Sequence, residues 1–176
     1  ITDSLVGSEM CIRDRLEEPI PLGLGLPESG GTMTAASFSS VPEMFLHRIR
    51  STPDMEAFLF PKNGGWETMS WGEVGREVRA ISLGLVELGL ELEDRCAILS
   101  GTRVEWILAD IGILCAGGAA STIYPTNTAD ECAYIIADSE SRVVFAENQG
   151  QVDKLLEERA NIPSVEKVVV IDGQGS

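Results

Sequence analysis

The chain has 176 residues, 44% of them hydrophobic and 23% charged, which is the balance of a globular domain rather than of a disordered tail. Its formal net charge of −15 repels a polyphosphate backbone, so nucleic acid is excluded as an expected partner, as is docking on anionic lipid by charge alone. No apolar run reaches the roughly 18–20 residues that span a bilayer. A small anion is still compatible with this balance, because it needs only a local nest of backbone N–H groups.

Residues 1–32 read unlike the rest. The stretch 5–15, LVGSEMCIRDR, has no amphipathic period, and its arginines Arg13 and Arg15 follow the apolar residues instead of preceding them. That order does not fit a secretory signal, and Asp3, Glu9 and Asp14 do not fit a transit peptide. Back-translated from Leu5 to Asp14, the stretch resembles, codon for codon, an adapter used in transposase-based sequencing libraries. The trailing bases of that adapter permit arginine at position 15, as found. The expectation is that residues 5–15 are translated adapter, with a natural disordered tail as the alternative. Residues 16–32 are Pro/Gly-rich and unpatterned, a linker or translated upstream sequence. Gly23-Leu24-Gly25 lacks the third glycine, the preceding strand and the following helix of a dinucleotide loop. Met33 is the expected true start, so the expected division is a non-native or disordered leader over 1–32 and a partial domain over 33–176.

From Ser39 onward local signals agree. Four S/T-x-x-E boxes mark predicted helix starts: Ser40/Glu43, Ser70/Glu73, Thr102/Glu105 and Thr128/Glu131. These glutamates are capping candidates before they are catalytic ones. The first helix is predicted over 42–50, with Phe45, Leu46 and Ile49 on one side. A hairpin is predicted next, 57–60 and 66–69 flanking Asn63-Gly64-Gly65. The second helix spans about 71–88, with a stripe of Val74, Val78, Ile81, Leu85 and Leu88, and Gly89 at its end. Then strand and helix alternate: strand 96–100, helix 103–116, strand 119–124, helix 130–138, strand 142–146, helix 149–160 and strand 167–171. The third helix is expected to turn Val104, Ile107, Leu108, Ile111 and Leu114 inward, with Gly117-Gly118 ending it. The sixth segment of the series carries Val152, Leu155 and Leu156. This alternation predicts an α/β fold, a mostly parallel sheet with helices on both faces.

Chemistry is sparse in the residues themselves. Cys11, Cys96, Cys115 and Cys132 form no C-x-x-C pair and no zinc spacing, and they read as reduced thiols of a cytoplasmic protein. His47, the only histidine, falls on a predicted helix surface. No Walker loop, H-E-x-x-H or G-x-S-x-G is present. Gly101-Thr102-Arg103, between a strand and a helix, has two readings: an anion nest or a strand-to-helix turn with a paired arginine. Tyr124-Pro125-Thr126-Asn127 likewise reads as a ligand-facing edge or as a strand exit and helix cap. Trp106 reads as wall packing.

Taken together, the blocks SGTRVEWILADIGILCAGG and TIYPTNTADECAYIIADSESRVVFAEN, with Thr68-Met69-Ser70-Trp71 and Asp94-Arg95-Cys96-Ala97-Ile98, resemble the amino-terminal part of adenylate-forming (AMP-binding) enzymes. Arg103-x-Glu105-Trp106, Tyr124-x-Thr126, Glu131, Tyr134 and Asp138 are similar to the bacterial long-chain fatty-acid–CoA ligases. The resemblance covers 40–172. It implies ligation of a fatty acid to CoA through an acyl-adenylate, with ATP, CoA and Mg2+ used by the full-length parent. The family's phosphate loop, nucleotide contacts and carboxy-terminal lysine would lie beyond residue 176. No catalytic, cofactor-binding or metal-binding residue is therefore assigned to this chain, which is expected to be an inactive fragment. Peripheral contact with a membrane is compatible with that substrate class. A fatty-acyl–AMP ligase, an aryl–CoA ligase and a non-enzymatic α/β ligand-binding module are the alternatives.

Overall fold

The computed structural model describes residues 37–62 and 64–173. The expectations for residues 1–32, for Cys11 among them and for Met33 as the start therefore lie outside the described residues.

Helix α1, Val41–Ser51, begins where the Ser40 hydroxyl accepts the Glu43 amide at 3.2 Å. The Glu43 carboxylate does not return to Ser40 but accepts the Ser39 amide and hydroxyl at 2.8 and 2.6 Å. Only Phe45 is fully buried on α1; Leu46, expected to face inward, is exposed. Strands β1, Glu56–Lys62, and β2, Gly65–Ser70, pair antiparallel as the predicted hairpin.

Helix α2, Trp71–Glu87, closes a full capping box: Glu73 N–H to Ser70 Oγ at 3.3 Å and Ser70 N–H to Glu73 Oε2 at 2.8 Å. It ends in a Schellman turn, with Leu90 N–H on the Leu85 carbonyl and Gly89 N–H on that of Val86, both at 3.0 Å. Gly89 sits at φ +89°, the conformation a side chain resists. This turn corrects the predicted stripe. Leu88 is the cap residue and is exposed, whereas Leu90 folds back beside Leu85 and is buried.

Strand β3, Arg95–Leu99, leads to α3, Val104–Cys115. The Thr102/Glu105 box does not form. Arg103 is the N-cap residue without a side-chain cap, because Glu105 accepts instead from Arg103 Nε at 2.6 Å. The buried residues of α3 are Val104, Leu108, Ala109, Gly112 and Ile113, and Ile107, Ile111 and Leu114 are only half-buried. The helix is squeezed between two neighbours: Val104 and Leu108 meet α1 and α2, while Ala109 and Ile113 meet the sheet. Small residues carry the closest approach, so a stripe of large apolar residues misplaces the face.

Strand β4, Ala119–Ile123, helix α4, Ala129–Asp138, and strand β5, Val143–Ala146, follow. The Thr128 amide donates to Glu131 Oε2 at 3.0 Å, and the Thr128 hydroxyl donates to Asp130. Helix α5, Gln149–Glu157, gives way to a 3₁₀ turn, Arg159–Asn161, so the helix is shorter than predicted. Leu155 is buried but Leu156 is exposed. Strand β6, Lys167–Val170, completes a four-stranded sheet of order β4-β3-β5-β6, parallel throughout.

Strand alternation builds two cores. On one face Cys96, Ile98, Val143 and Phe145 pack beneath α2 and α3 through Leu85, Ala109 and Ile113. On the other, Ala97, Leu99, Val144 and Ala146 pack against Cys132 and Ile136 of α4 and Leu155 of α5. Both faces of β5 are buried, which is why Val143–Ala146 reads as a continuous apolar run.

Candidate functional site

Strands β3 and β5 are neighbours, yet α3 leaves β3 for one face and α5 leaves β5 for the other. Their carboxyl ends therefore frame the topological switch point of the sheet, the place where open parallel sheets bind ligands. Three segments converge there: residues 100–103 after β3, Glu147 after β5 and Asp172 after β6. Backbone bonds set their spacing. Glu147 N–H donates to the Leu99 carbonyl at 3.0 Å, and Asp172 N–H donates to that of Glu147 at 2.8 Å.

Arg103 is at the centre. Its Nη1 and Nη2 donate to the two carboxylate oxygens of Asp172 at 2.5 and 2.9 Å, and its Nε donates to Glu105. Nη1 also lies 3.7 Å from Glu147 Oε1. The guanidinium holds the Asp172 and Glu105 carboxyls below the usual range, and these partners push its own pKa up. The Gly101 amide donates to Glu147 Oε2 at 2.9 Å. Of the two readings of Gly101-Thr102-Arg103, the structure forms the paired arginine: donors that an external anion would use are engaged by the chain's own carboxylates. Three carboxylates face one guanidinium, so the cluster is net negative and does not fit a phosphate. Among the described residues no group of three or more His, Cys, Asp or Glu is arranged to hold a metal ion.

The turn after β4 is held from α5. Lys154 Nζ donates to the carbonyls of Pro125 and Asn127, both at 2.7 Å, and Gln151 Nε2 reaches Pro125 at 3.4 Å. Tyr124 is 78% exposed at the same edge. The segment 124–127 is thus both a strand exit and a rigid exposed rim. Trp106 packs partly buried against the sheet.

The opposite edge carries a second pin. Arg142 precedes β5 and pairs with Asp94, just before β3, and with Glu166 Oε1 and Oε2, just before β6, at 3.0 and 3.1 Å. Arg103 and Arg142 therefore clasp the same three strands at their two ends. Neither clasp is visible in the sequence, because its long-range members are 24 to 69 residues apart. Lys154 gives no sequence signal either; it lies within an ordinary helical pattern.

The remaining candidates are structural. Cys96, Cys115 and Cys132 are free thiols, and burial raises all three, Cys96 to about 11. None is a poised nucleophile. His47 is exposed on α1, its ring 5.2 Å from that of Phe38. No helix of the described residues is long and apolar enough to cross a membrane.

Comparison with known proteins identifies this architecture. The chain aligns with the amino-terminal domain of FACL13 from Mycobacterium tuberculosis at a TM-score of 0.67 and 23% identity, covering 74% of this chain and 33% of that one. It aligns with an anthranilate CoA ligase, AuaEII, at a TM-score of 0.69 and 24% identity, covering 77% and 25%. The fold is thus one shared with part of each of these two proteins. Residues 45–176 match the family of AMP-binding enzymes, and the chain belongs to that family. It is 32% identical over 142 residues to a long-chain-fatty-acid–CoA ligase of Mycobacterium bovis, covering 81% of this chain and 24% of the relative. A long-chain-fatty-acid–CoA ligase of Xenopus laevis is 29% identical over 130 residues, covering 74% and 18%. The chain spans about a quarter of the length of the curated relatives it matches, or less.

Proposed function

We propose that this chain is part of a long-chain fatty-acid–CoA ligase and serves that enzyme as scaffold. The observation that carries the reading is the 142-residue match to the M. bovis ligase. Beside it stand the blocks around Arg103-x-Glu105-Trp106 and Tyr124-x-Thr126, which favour the long-chain branch. The fold alone does not choose the acid, because an anthranilate ligase shares it equally well.

In the proposed whole-enzyme reaction, ATP and a fatty acid give acyl-adenylate and pyrophosphate, and the CoA thiol then displaces AMP to leave the thioester. Two anions must meet in the first step, which demands cations and N–H groups at the phosphates, with Mg2+ as the expected screen. In this reading the Gly101-Thr102-Arg103 turn does not supply that screen, since Gly101 N–H and Arg103 already serve Glu147, Glu105 and Asp172. No step is assigned to the described residues. Their contribution is a rigid parallel sheet whose carboxyl edge supports the site.

The test is fatty-acid-dependent ATP–pyrophosphate exchange, run on the 176-residue chain and on the protein encoded by the intact source gene. The short chain is expected to stay at blank and the longer protein to exchange with long-chain acids. Exchange by the short chain refutes the scaffold role. Preference of the longer protein for aryl acids refutes the substrate class.

A further inference from the structure

The two arginine clasps are built alike and hold opposite edges of the sheet. Arg103 and Arg142 each make one two-pronged contact with a carboxylate and reach further acids, and their side chains are 26% and 29% exposed. Each bridges elements flanking β3, β5 and β6. Arg142 does so at the amino edge, away from the ligand-binding end of a doubly wound sheet, and Arg103 at the carboxyl edge, at the switch point itself. The last backbone bonds here run from Ile171 N–H to the Ala146 carbonyl at 2.9 Å and from Asp172 N–H to that of Glu147 at 2.8 Å. Fixing Asp172 fixes the carboxyl end of β6.

We propose that Arg103 is a positioning residue for the adenylation step: through Asp172 and Glu147 it fixes the carboxyl ends of β5 and β6 at the switch point, the edge where open parallel sheets bind ligands. This rests on the ligase reading above. Arg103 touches no substrate in this role. It acts through the carboxylates, and the planar fork matters more than the charge, because two parallel N–H···O contacts fix angle as well as distance. A displacement of about 1 Å in such a support costs on the order of 100-fold in rate.

The experiment compares R103M, R103K and D172N with R142M in the full-length enzyme, by ATP–pyrophosphate exchange over a range of fatty-acid concentrations up to saturation and by thermal melting. The expectation is that R103M loses on the order of 100-fold in kcat with KM for the fatty acid little changed. R103K recovers only part of this, and D172N follows R103M. R142M lowers the melting temperature but keeps the wild-type kcat. Equal kcat values for R103M and R142M in an active enzyme overturn the proposal and leave the ligase reading standing. If R103M does not fold, D172N decides the matter in the same way. A wild-type enzyme that activates no fatty acid overturns both.

Discussion

Gly112 lies where α3 crosses α2, and replacing it with alanine tests the two-sided packing of α3 directly. A Cβ at this position would stand 2.5 Å from Ile81 Cγ2 and 2.9 Å from Ile81 Cβ. Carbon atoms prefer about 3.5–4.0 Å. Ile81 Cβ is fixed to the backbone of α2, so a rotamer change does not relieve the contact and the helices must separate. Separation also stretches the bond from Ser82 Oγ to the Gly112 carbonyl, 2.9 Å in the native packing. Overpacking costs up to about 3 kcal/mol, and a weakened hydrogen bond about 1 kcal/mol. Alanine returns about 1 kcal/mol through helix propensity. The net expectation is a loss of about 1–3 kcal/mol, read from urea unfolding followed by circular dichroism. Gly84 is the control. It lies on α2, where a Cβ would meet nothing within 4 Å, so Gly84→Ala should gain about 1 kcal/mol. Ile81→Ala removes the nearest atom, so the double variant Ile81→Ala/Gly112→Ala should be less destabilised than the sum of the singles. A Gly112→Ala protein as stable as Gly84→Ala would refute the packing described for α3.

Three further outcomes follow from local geometry. Cys96 is raised to about 11 by burial, so the unfolded thiol, near about 8.5, ionises first. The protective contribution is whole below about pH 8.5 and is lost as the pH rises toward 11, by up to about 3 kcal/mol; Cys96→Ala should flatten that alkaline limb of the stability curve. Lys154→Met removes the two bonds that hold the turn after β4, and amide exchange over residues 124–128 should quicken about tenfold or more, with unchanged exchange refuting the clamp. Glu140 follows α4 at φ +50°, so Glu140→Gly should relieve about 1 kcal/mol of backbone strain against a smaller loss of the exposed pair with Arg95; a lower melting temperature would show that the pair outweighs the strain.

Glu140 also shows where sequence reading stops. Helices α2, α3 and α4 all end in the same turn, with residue C″ bonded back to residue C3: Leu90 to Leu85, Gly118 to Ile113 and Ser141 to Ile136. Gly89 and Gly117 announce the first two, and the third is carried by a glutamate that no turn rule selects. The parallel sheet and its helices were legible because propensity, caps and period agreed along the chain. Strand order was not, since nothing local says that β3 sits between β4 and β5. Faces failed where burial is two-sided, as on α3, or where a cap turns the chain, as at Leu88. The Ser70/Glu73 box formed as read, but Thr102/Glu105 did not. There the glutamate had a better partner, a guanidinium two residues away, already drawn to Asp172 from 69 residues downstream.

That competition explains how one turn serves both fold and site. A Gly-Thr-Arg turn at a helix start is a ready anion nest by local rules. In this chain the nest is filled internally: Glu147 takes the Gly101 amide, and Asp172 with Glu105 takes the guanidinium. The exchange trades a ligand site for rigidity at the switch point. Such rigidity at the switch point is what the scaffold role proposed above requires. Charge makes the same point: three carboxylates around one arginine repel a phosphate at close range, so this cluster belongs behind the groups that would touch one. The amino-edge clasp has no such constraint, and Arg142 spends a further donor contact on the Gly89 carbonyl at the end of α2. The sheet is therefore tied at both ends by the same chemistry.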